Sequence, residues 1–207
     1  RGAGGMKNII VSEDIQEIYE RNIDWEQFRG SSILVSGANG MLASYVICML
    51  IYLNEKKHMG INIIAAVRNP KKFLDRFGEY TKSNYISVIS DSILNPIHID
   101  NNVDYIIHAA SLASPQYYSV CPVDVLSPNV IGTYNLLNLA VEKKSKSFLM
   151  FSSGDVYGVL KNLRYITEHD MGVIDPLDIH SCYSESKRMA ETMCYSFACQ
   201  YGVPIKI

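Results

Sequence analysis

The sequence has few of the features that mark membrane proteins, disulfide-rich domains and metal sites. Its 207 residues contain no run of eighteen or more apolar residues, so no membrane-spanning segment is expected. Nothing in it resembles a signal peptide. The five cysteines are odd in number and include no Cys-x-x-Cys pair, which favours reduced thiols in a cytoplasm over a disulfide framework. The five histidines are scattered, and no metal site is predicted.

A strong net charge is absent as well. The formal net charge is −2, so a surface for binding nucleic acid is not expected. Hydrophobic residues make up 48% of the chain and charged residues 19%, which is typical of a folded globular protein. The length is sufficient for one domain with a sizeable core.

The first part of the chain, residues 1–30, is predicted to form an N-terminal arm ahead of a main domain at residues 31–207. Residues 1–5 are expected to be a leader or a cloning remnant. Apolar side chains then recur at helical spacing, and Ser12 is predicted to cap that helix. Two aromatic residues are expected to pack the arm onto the body: Trp25 and Phe28.

A glycine-containing turn follows the first short apolar run, residues 33–36, which is typical of a buried parallel strand. Gly37 permits a tight turn, and Gly40 lets the backbone approach a pyrophosphate at the N-terminus of the next helix. A strand, a glycine turn and a helix in this order predict a dinucleotide site, with a purely structural turn as the alternative. The residues predicted to contact the cofactor here are Gly37, Asn39, Gly40, Met41 and Leu42.

The ends of the later strands supply further candidates. Arg68 follows the second strand, where a NAD-specific site usually carries an acid that holds the ribose 2′-hydroxyl. Arg68 would meet a 2′-phosphate, stack on adenine or be an exposed loop residue, so the choice between NAD and NADP stays open. Asp91, after the third strand, would accept from the adenine amino group or cap a helix. Ala109 and Ala110 would let backbone lie close to the cofactor, whereas His108 is expected to be a core-edge histidine with one hydrogen bond.

The main chemical pattern is Tyr183 and Lys187, four positions apart in a stretch without Pro or Gly. This spacing puts both side chains on one face of a predicted helix. A free tyrosine has a pKa of about 10, and a nearby ammonium lowers it, so the pair can act as a general acid and base. Ser153 and Asp155 follow the fifth strand, at the edge where open α/β sheets bind ligands.

Strands that alternate with helices predict an α/β fold, a Rossmann-like doubly wound parallel sheet with helices on both faces. A helix is predicted over residues 129–143, ahead of a fifth strand whose apolar residues 148–151 are all expected to be buried. Gly202 is predicted to end the tyrosine helix, and a sixth strand is predicted to begin directly after it.

Taken together, the ordered motifs from residue 31 to the C-terminus resemble the extended short-chain dehydrogenase/reductase family, the NAD-dependent nucleotide-sugar epimerases and dehydratases. Within this family the likeness is closest to the UDP-glucuronate decarboxylases, and residues 113–118 and 181–195 carry it. The resemblance implies that the C-terminal, substrate-binding part of the enzyme is missing from this chain. It also implies a homodimer formed through the tyrosine helix and its neighbour.

The resemblance assigns roles residue by residue. Tyr183 would take the proton from the sugar 4-hydroxyl, and Lys187 would lower the tyrosine pKa and hold the nicotinamide ribose. Ser153 would hydrogen-bond the same sugar oxygen. Asp155 stands where the decarboxylases have Glu, which implies a catalytic carboxylate on a shorter side chain. Substrate contacts are expected from Ser114, Tyr118 and Ser153.

The implied reaction oxidises C4 of UDP-glucuronate with bound NAD, releases the C6 carboxylate as carbon dioxide and re-reduces the product to UDP-xylose, without a metal. A nucleotide-sugar 4-epimerase of the same family is the first alternative. A 4,6-dehydratase is disfavoured because Gly154 stands where that enzyme carries its acid. A catalytically silent NAD(P)-binding module is the alternative of another class, and the joint presence of Tyr183, Lys187 and Ser153 argues against it.

Overall fold

A six-stranded sheet forms the centre of the computed structural model, which describes residues 8–160 and 165–207. The predicted leader at residues 1–5 lies outside the described residues. The strand order is β3-β2-β1-β4-β5-β6, and every neighbouring pair is parallel. The predicted Rossmann-like fold is therefore confirmed. The strands are β1 (Ser32–Ser36), β2 (Asn62–Ala66), β3 (Ile86–Ile89), β4 (Tyr105–His108), β5 (Ser147–Met150) and β6 (Ile205–Lys206).

Helices cover both faces of the sheet, and among the described residues only the connection from β3 to β4 contains no helix. They are α1 (Ile9–Glu20), α2 (Met41–Lys57), α3 (Pro70–Phe77), α4 (Pro122–Ser127), α5 (Thr133–Lys143) and α6 (Ser181–Tyr201). Successive strand residues point to opposite faces. Ile33 and Val35 of β1 accordingly join a buried cluster with α2 and α3, whereas Leu34 joins a second cluster with α5 and α6. Each such fully buried aliphatic side chain stabilises the fold by about 1.5–3 kcal/mol.

The N-terminal helix begins earlier than predicted. Asn8 is its N-cap, because the Asn8 side chain accepts a hydrogen bond from the backbone N–H of Ile10 at 3.0 Å. The prediction of Ser12 as the cap is therefore wrong: the Ser12 N–H donates to the carbonyl of Asn8, inside the first turn. Val11 and Ile15 of this helix are buried in the same cluster as α2.

The aromatic residues of the arm pack against the body, as expected. The Trp25 indole N–H donates to the carbonyl of Tyr19 at 3.1 Å. The Phe28 ring lies edge-on to the ring of Tyr105 in β4, with 5.1 Å between centroids. Both aromatics border the cluster that contains α2.

The helix predicted to start at residue 129 begins at Pro122 instead, so that boundary is wrong. Helix α4 continues through a π-helical turn, Pro128–Gly132, into α5. Pro128 has no N–H to donate to the preceding turn, and a missing bond of this kind favours a wider turn. Asn129 consequently lies inside the wide turn, fully buried.

The predicted burial of all of residues 148–151 is wrong. Phe148 and Met150 are buried, whereas Leu149 is half-buried, and Phe151 lies beyond the end of β5 and is also half-buried. The physical reason is the alternation of side chains along a strand: Leu149 points to the face opposite to Phe148 and Met150, where its β4 partner Ile107 is also only half-buried.

Candidate active site

A cleft with a volume of about 530 Å³ opens at the carboxyl ends of β1, β2 and β4. Strand β1 pairs with β2 on one side and with β4 on the other, so the cleft lies where the connections of the sheet change direction. Open α/β sheets bind ligands at such a point. Seven of the predicted cofactor residues line the cleft: Gly37, Asn39, Gly40, Arg68, Asp91, Ala109 and Ala110.

The glycine turn brings the backbones after β1 and β4 into contact. Gly37 has a φ of +66°, and a Cβ added there would lie 2.6 Å from the Cα of Ala110. Only glycine fits both the left-handed backbone and this close approach. Gly40 is the N-cap of α2, and no side chain caps the first N–H groups of the helix. These N–H groups are therefore available to an anion.

Four predicted cofactor residues lie outside the lining of the cleft: Tyr183 and Lys187 on α6, and Met41 and Leu42 at the start of α2. The side chains of Met41 and Leu42, in the first turn of α2, are 72% and 59% exposed. A phosphate at the N-terminus of α2 would therefore contact the backbone N–H groups of Met41 and Leu42 rather than their side chains.

The cleft is also lined by residues that the sequence reasoning missed. Three of them, Asn69, Ser92 and Ser111, directly follow a predicted site residue along the chain, which was the available signal. Ser111 is notable because its hydroxyl oxygen is buried and has no hydrogen-bond partner in the structure. The polar and charged members of this group are Asn69, Lys72, Ser92, Ser111 and Asp124.

His108, at the end of β4, makes two hydrogen bonds, so the expectation of a single one is wrong. Its Nδ1 lies 2.8 Å from the Ser36 hydroxyl, and its Nε2 lies 3.0 Å from the Thr133 hydroxyl. Burial, followed by the charge of Lys187, lowers the pKa of His108 to about 3. The imidazole is therefore neutral at physiological pH and links β1, β4 and α5.

Tyr183 and Lys187 lie one turn apart on α6, and both are buried, with 5% and 4% exposure. The Lys187 Nζ lies 5.9 Å from the centroid of the Tyr183 ring and donates to the carbonyl of Phe151 at 2.6 Å. Burial lowers the pKa of Lys187 to about 8, and the nearby Glu191 carboxylate opposes this shift. The ammonium is thus held between the end of β5 and the tyrosine.

Tyr118 packs face to face on Tyr183. Their ring centroids are 5.1 Å apart and the ring planes differ by 15°. The Tyr118 hydroxyl donates to the carbonyl of Ala113 at 3.2 Å. Burial, followed by the neighbouring Tyr183 and Asp155, raises the pKa of Tyr118 to about 12. Tyr118 therefore remains protonated and borders the catalytic candidates.

Ser153 and Asp155 lie in the turn that follows β5. The Ser153 hydroxyl accepts a hydrogen bond from the Asp155 N–H at 3.2 Å, and so caps the short 3₁₀ helix Gly154–Tyr157, which packs against α6. The structure thus brings Ser153, Asp155, Tyr118 and the tyrosine helix into one region. The exposed Ser114 lies just ahead of Tyr118, at the start of another 3₁₀ turn, Pro115–Tyr117.

A buried polar bridge that the sequence reasoning missed connects the π-helical turn to α6. The Asn129 amide donates to the Ser186 hydroxyl at 3.0 Å, and that hydroxyl donates to the carbonyl of Tyr183 at 2.8 Å. The Asn129 Oδ1 is buried and has no hydrogen-bond partner in the structure. The only sequence signal was an asparagine directly after a proline.

Two further observations concern the described part of the chain. Within residues 8–160 and 165–207, no group of three or more His, Cys, Asp or Glu side chains is arranged to hold a metal ion. No helix among these residues combines the length and the apolar character needed to cross a membrane.

Comparison with known proteins identifies the family. The family model of the NAD dependent epimerase/dehydratase family matches residues 33–207. The chain belongs to this family. Its membership confirms the predicted family resemblance and NAD as the family's cofactor.

Several curated relatives of this chain are named as UDP-glucuronic acid decarboxylases. UDP-glucuronic acid decarboxylase 6 of Arabidopsis thaliana is 33% identical over 175 residues, which cover 84% of this chain and 48% of the relative. UDP-glucuronic acid decarboxylase 1 of Xenopus tropicalis is 32% identical over 176 residues, covering 84% and 39%. The chain thus spans half or less of the length of these relatives.

Solved structures of the family share the fold. A UDP-glucuronic acid 4-epimerase from Bacillus cereus, in complex with UDP-glucuronic acid and NAD, superposes with a TM-score of 0.67 at 19% identity. The match covers 84% of this chain and 54% of the epimerase. At this identity the likeness concerns the fold alone.

Proposed function

We propose that the full-length protein is an NAD-dependent UDP-glucuronate decarboxylase. The observation that carries the proposal is the buried Tyr183–Lys187 pair beside the Ser153–Asp155 turn. The curated relatives named UDP-glucuronic acid decarboxylase support the substrate and the reaction. In this proposal residues 31–207 form the dinucleotide-binding domain with the tyrosine helix, and residues 1–30 form an N-terminal arm.

The residues of the cleft fit a dinucleotide. The glycine turn leaves the N-terminus of α2 uncapped by any side chain, which suits a pyrophosphate. The unpartnered Ser111 hydroxyl in the lining suits a hydroxyl or phosphate of the cofactor. When bound in this cleft, NAD would supply the redox chemistry, as acceptor and later donor of the hydride at C4 of the sugar.

Tyr183 acts as the base that removes the proton of the sugar 4-hydroxyl. The Lys187 ammonium, fixed by the carbonyl of Phe151, stabilises the phenolate that this requires. The Ser153 hydroxyl donates a hydrogen bond to the same sugar oxygen. The tyrosine then returns the proton when C4 is reduced again, so the pair is regenerated in each cycle.

The oxidised sugar has a ketone at C4 and a carboxylate at C6, and this arrangement allows carbon dioxide to leave. The electron pair of the broken C5–C6 bond moves into the ketone as an enolate, and a proton replaces the carboxylate at C5. Tyr118 lies against the sugar and excludes water from one side. The exposed Asp155 carboxylate accepts a hydrogen bond from the substrate.

Proton NMR of the full-length protein tests this proposal. UDP-glucuronate is incubated without added cofactor and then with NAD, and UDP-glucose and UDP-galactose are incubated in parallel. Conversion of UDP-glucuronate to UDP-xylose supports the decarboxylase. Unchanged UDP-glucuronate with interconversion of UDP-glucose and UDP-galactose favours the 4-epimerase. No reaction in any tube favours a binding module without catalysis.

We infer a homodimer that forms through α5, α6 and the π-helical turn. Apolar side chains on these elements are exposed, which supports a surface covered by a second copy. The five free cysteines support a reducing, cytoplasmic location. The exposed apolar residues concerned are Ile131, Tyr134, Met189 and Tyr195.

A further inference from the structure

Three consecutive residues at the end of β5 each contact a side chain of α6. The pairs, each written from β5 to α6, are Met150–Cys194, Phe151–Lys187 and Ser152–Glu191. The sulfur atoms of the first pair are 3.7 Å apart, and the carbonyl oxygen and Nζ of the second are 2.6 Å apart. In the third pair the serine hydroxyl donates to the carboxylate. The position of the turn after β5 therefore depends on α6.

Glu191 lies on the face of α6 that carries the proton-transfer pair. Tyr183, Lys187 and Glu191 follow one another at intervals of four positions, about one helical turn each. The Glu191 side chain is half-buried and accepts from Ser152, the residue directly before Ser153. This carboxylate is thus connected to both groups assigned to the sugar oxygen, to Tyr183 along the helix and to Ser153 along the turn.

The charge of Glu191 acts on the ionisable groups around it. It opposes the effect of burial on the pKa of Lys187, which burial lowers to about 8. It adds to the effect of burial on the thiol of Cys194, whose pKa is raised to about 12. His108 faces Lys187 from β4, but its lowered pKa of about 3 leaves it neutral. The Glu191 carboxylate is therefore the charge that favours the protonated form of Lys187.

The other charged pair in this part of α6 is separate from these contacts. Arg188 and Glu185 pair with each other, with 3.6 Å between Nη1 and Oε1. Glu191 also lies outside the lining of the cleft. Its described partners are thus Ser152 and the groups of the tyrosine helix.

We propose that Glu191 is a positioning residue, which holds the Lys187 ammonium and the turn that carries Ser153 in the arrangement that proton transfer requires. It acts through Lys187 and Ser152 and does not touch the sugar or the dinucleotide. The inference rests on the proposed proton transfer at Tyr183. It holds equally for a decarboxylase and for a 4-epimerase, because both oxidise the same hydroxyl.

NMR of the full-length protein with ¹³C at the lysine ε-carbons tests the electrostatic part without substrate. Lys187→Met identifies the Lys187 signal by its loss, and titration of that signal gives its pKa. Glu191→Gln removes the charge and keeps an oxygen that can accept from Ser152. Because an opposite charge favours the ammonium, the pKa of Lys187 should fall by at least about one unit. An unchanged pKa would overturn the proposal.

A matched variant controls for the loss of charge as such. Glu13→Gln removes the same charge from an exposed side chain of α1, a helix that packs on α2. The pKa of Lys187 should not change in this variant. An equal fall in both variants would contradict the proposal, because net charge would then explain the effect.

Kinetics on the UDP-sugar that wild type converts test the effect on turnover. In Glu191→Gln, kcat should fall about tenfold, whereas KM should change less than about twofold, because the side chain does not touch the sugar. The alkaline limb of the kcat profile should move to lower pH by the shift that NMR gives. A purely structural glutamate would leave this limb in place, so an unmoved limb would contradict the proposal.

Ser152→Ala tests the link to the turn. It keeps the Glu191 charge but removes the hydroxyl that fixes it, so kcat should fall severalfold with little change in KM. The double variant with Glu191→Gln should lose less than the product of the two single losses, because both changes weaken one charge-assisted hydrogen bond. A loss equal to that product would contradict the link. If circular dichroism shows that Glu191→Gln is unfolded, unchanged kcat in Ser152→Ala would overturn the proposal.

Failure of the proposed function gives a different result. If wild type converts no UDP-sugar, the NMR titration still decides whether Glu191 sets the charge of Lys187. A lower Lys187 pKa in Glu191→Gln without any turnover by wild type would contradict the proposed function alone.

Discussion

At the scale of single residues, Tyr183 is the group on which the proposed chemistry depends. Tyr183→Phe removes the hydroxyl and keeps the ring that stacks on Tyr118. We expect turnover of UDP-glucuronate to fall about 10²- to 10⁴-fold, the usual contribution of a general acid and base, while dinucleotide binding is retained. Tyr201→Phe, at an exposed tyrosine at the end of the same helix, is the control and should keep full activity. Substantial turnover by Tyr183→Phe would exclude the tyrosine as the base.

Lys187 gives a prediction about pH. Burial lowers its pKa from 10.5 to about 8, so the unfolded chain binds this proton more tightly than the folded one. The resulting stability penalty is fully present below pH 8 and is relieved as the pH rises towards 10.5. Chemical denaturation of wild type and Lys187→Met, both without cofactor, should therefore show wild type gaining up to about 3 kcal/mol on the variant between these limits.

The comparison of the two proteins cancels the other groups that titrate in the same range. A difference in unfolding free energy that stays constant with pH, or that moves against wild type as the pH rises, would show that Lys187 does not carry the lowered pKa.

At the scale of structural elements, the glycine turn can be tested with two glycines that share a backbone conformation. Gly30 and Gly37 both have a φ of +66°, but a Cβ at Gly30 would meet nothing within 4 Å, whereas a Cβ at Gly37 would meet Ala110. We expect Gly30→Ala to cost only the left-handed backbone penalty, about 1–2 kcal/mol. Gly37→Ala should cost more and should also weaken dinucleotide binding.

Thermal and chemical denaturation measure the two costs, and calorimetry measures the binding. Equal stability losses in the two variants would mean that the close approach between the loops after β1 and β4 contributes nothing.

The bridge from the π-helical turn to α6 should also contribute to stability. Asn129→Ala removes the amide that joins this turn to Ser186, and we expect a loss of about 1–3 kcal/mol in the free energy of unfolding. Asn138→Ala, at an exposed asparagine of α5, should change it by less than about 0.5 kcal/mol. A double-mutant cycle with Ser186→Ala should give a coupling energy of about 0.5–3 kcal/mol, and its absence would contradict the bridge.

These elements also show which parts of the site could be predicted from the sequence. Gly37, Arg68 and Asp91 were predictable because the carboxyl ends of parallel strands meet at one edge of the sheet, so local patterns sufficed. The role of Asn129 was not predictable, because its partner on α6 is 57 positions away and no local sequence pattern indicates such a contact. The second hydrogen bond of His108 was missed for the same reason.

At the scale of the whole molecule, the fold separates two regions with different tasks. In the proposed function, the cleft at the β1, β2 and β4 ends binds the dinucleotide, whereas α6 and the turn after β5 carry the groups for proton transfer. The buried polar contacts of His108 and Asn129 join the two regions. The chain spans half or less of the length of these curated relatives. The proposed activity therefore has to be tested on the full-length protein.

The most direct test follows the carbon that a decarboxylase must release. The full-length protein is incubated with UDP-glucuronate labelled with ¹³C at C6, and carbon NMR follows the label. The proposed function predicts that the label moves into carbon dioxide and bicarbonate while UDP-xylose forms in equal amount. Label that stays in a sugar carboxylate, whether in unchanged UDP-glucuronate or in its 4-epimer, would contradict it.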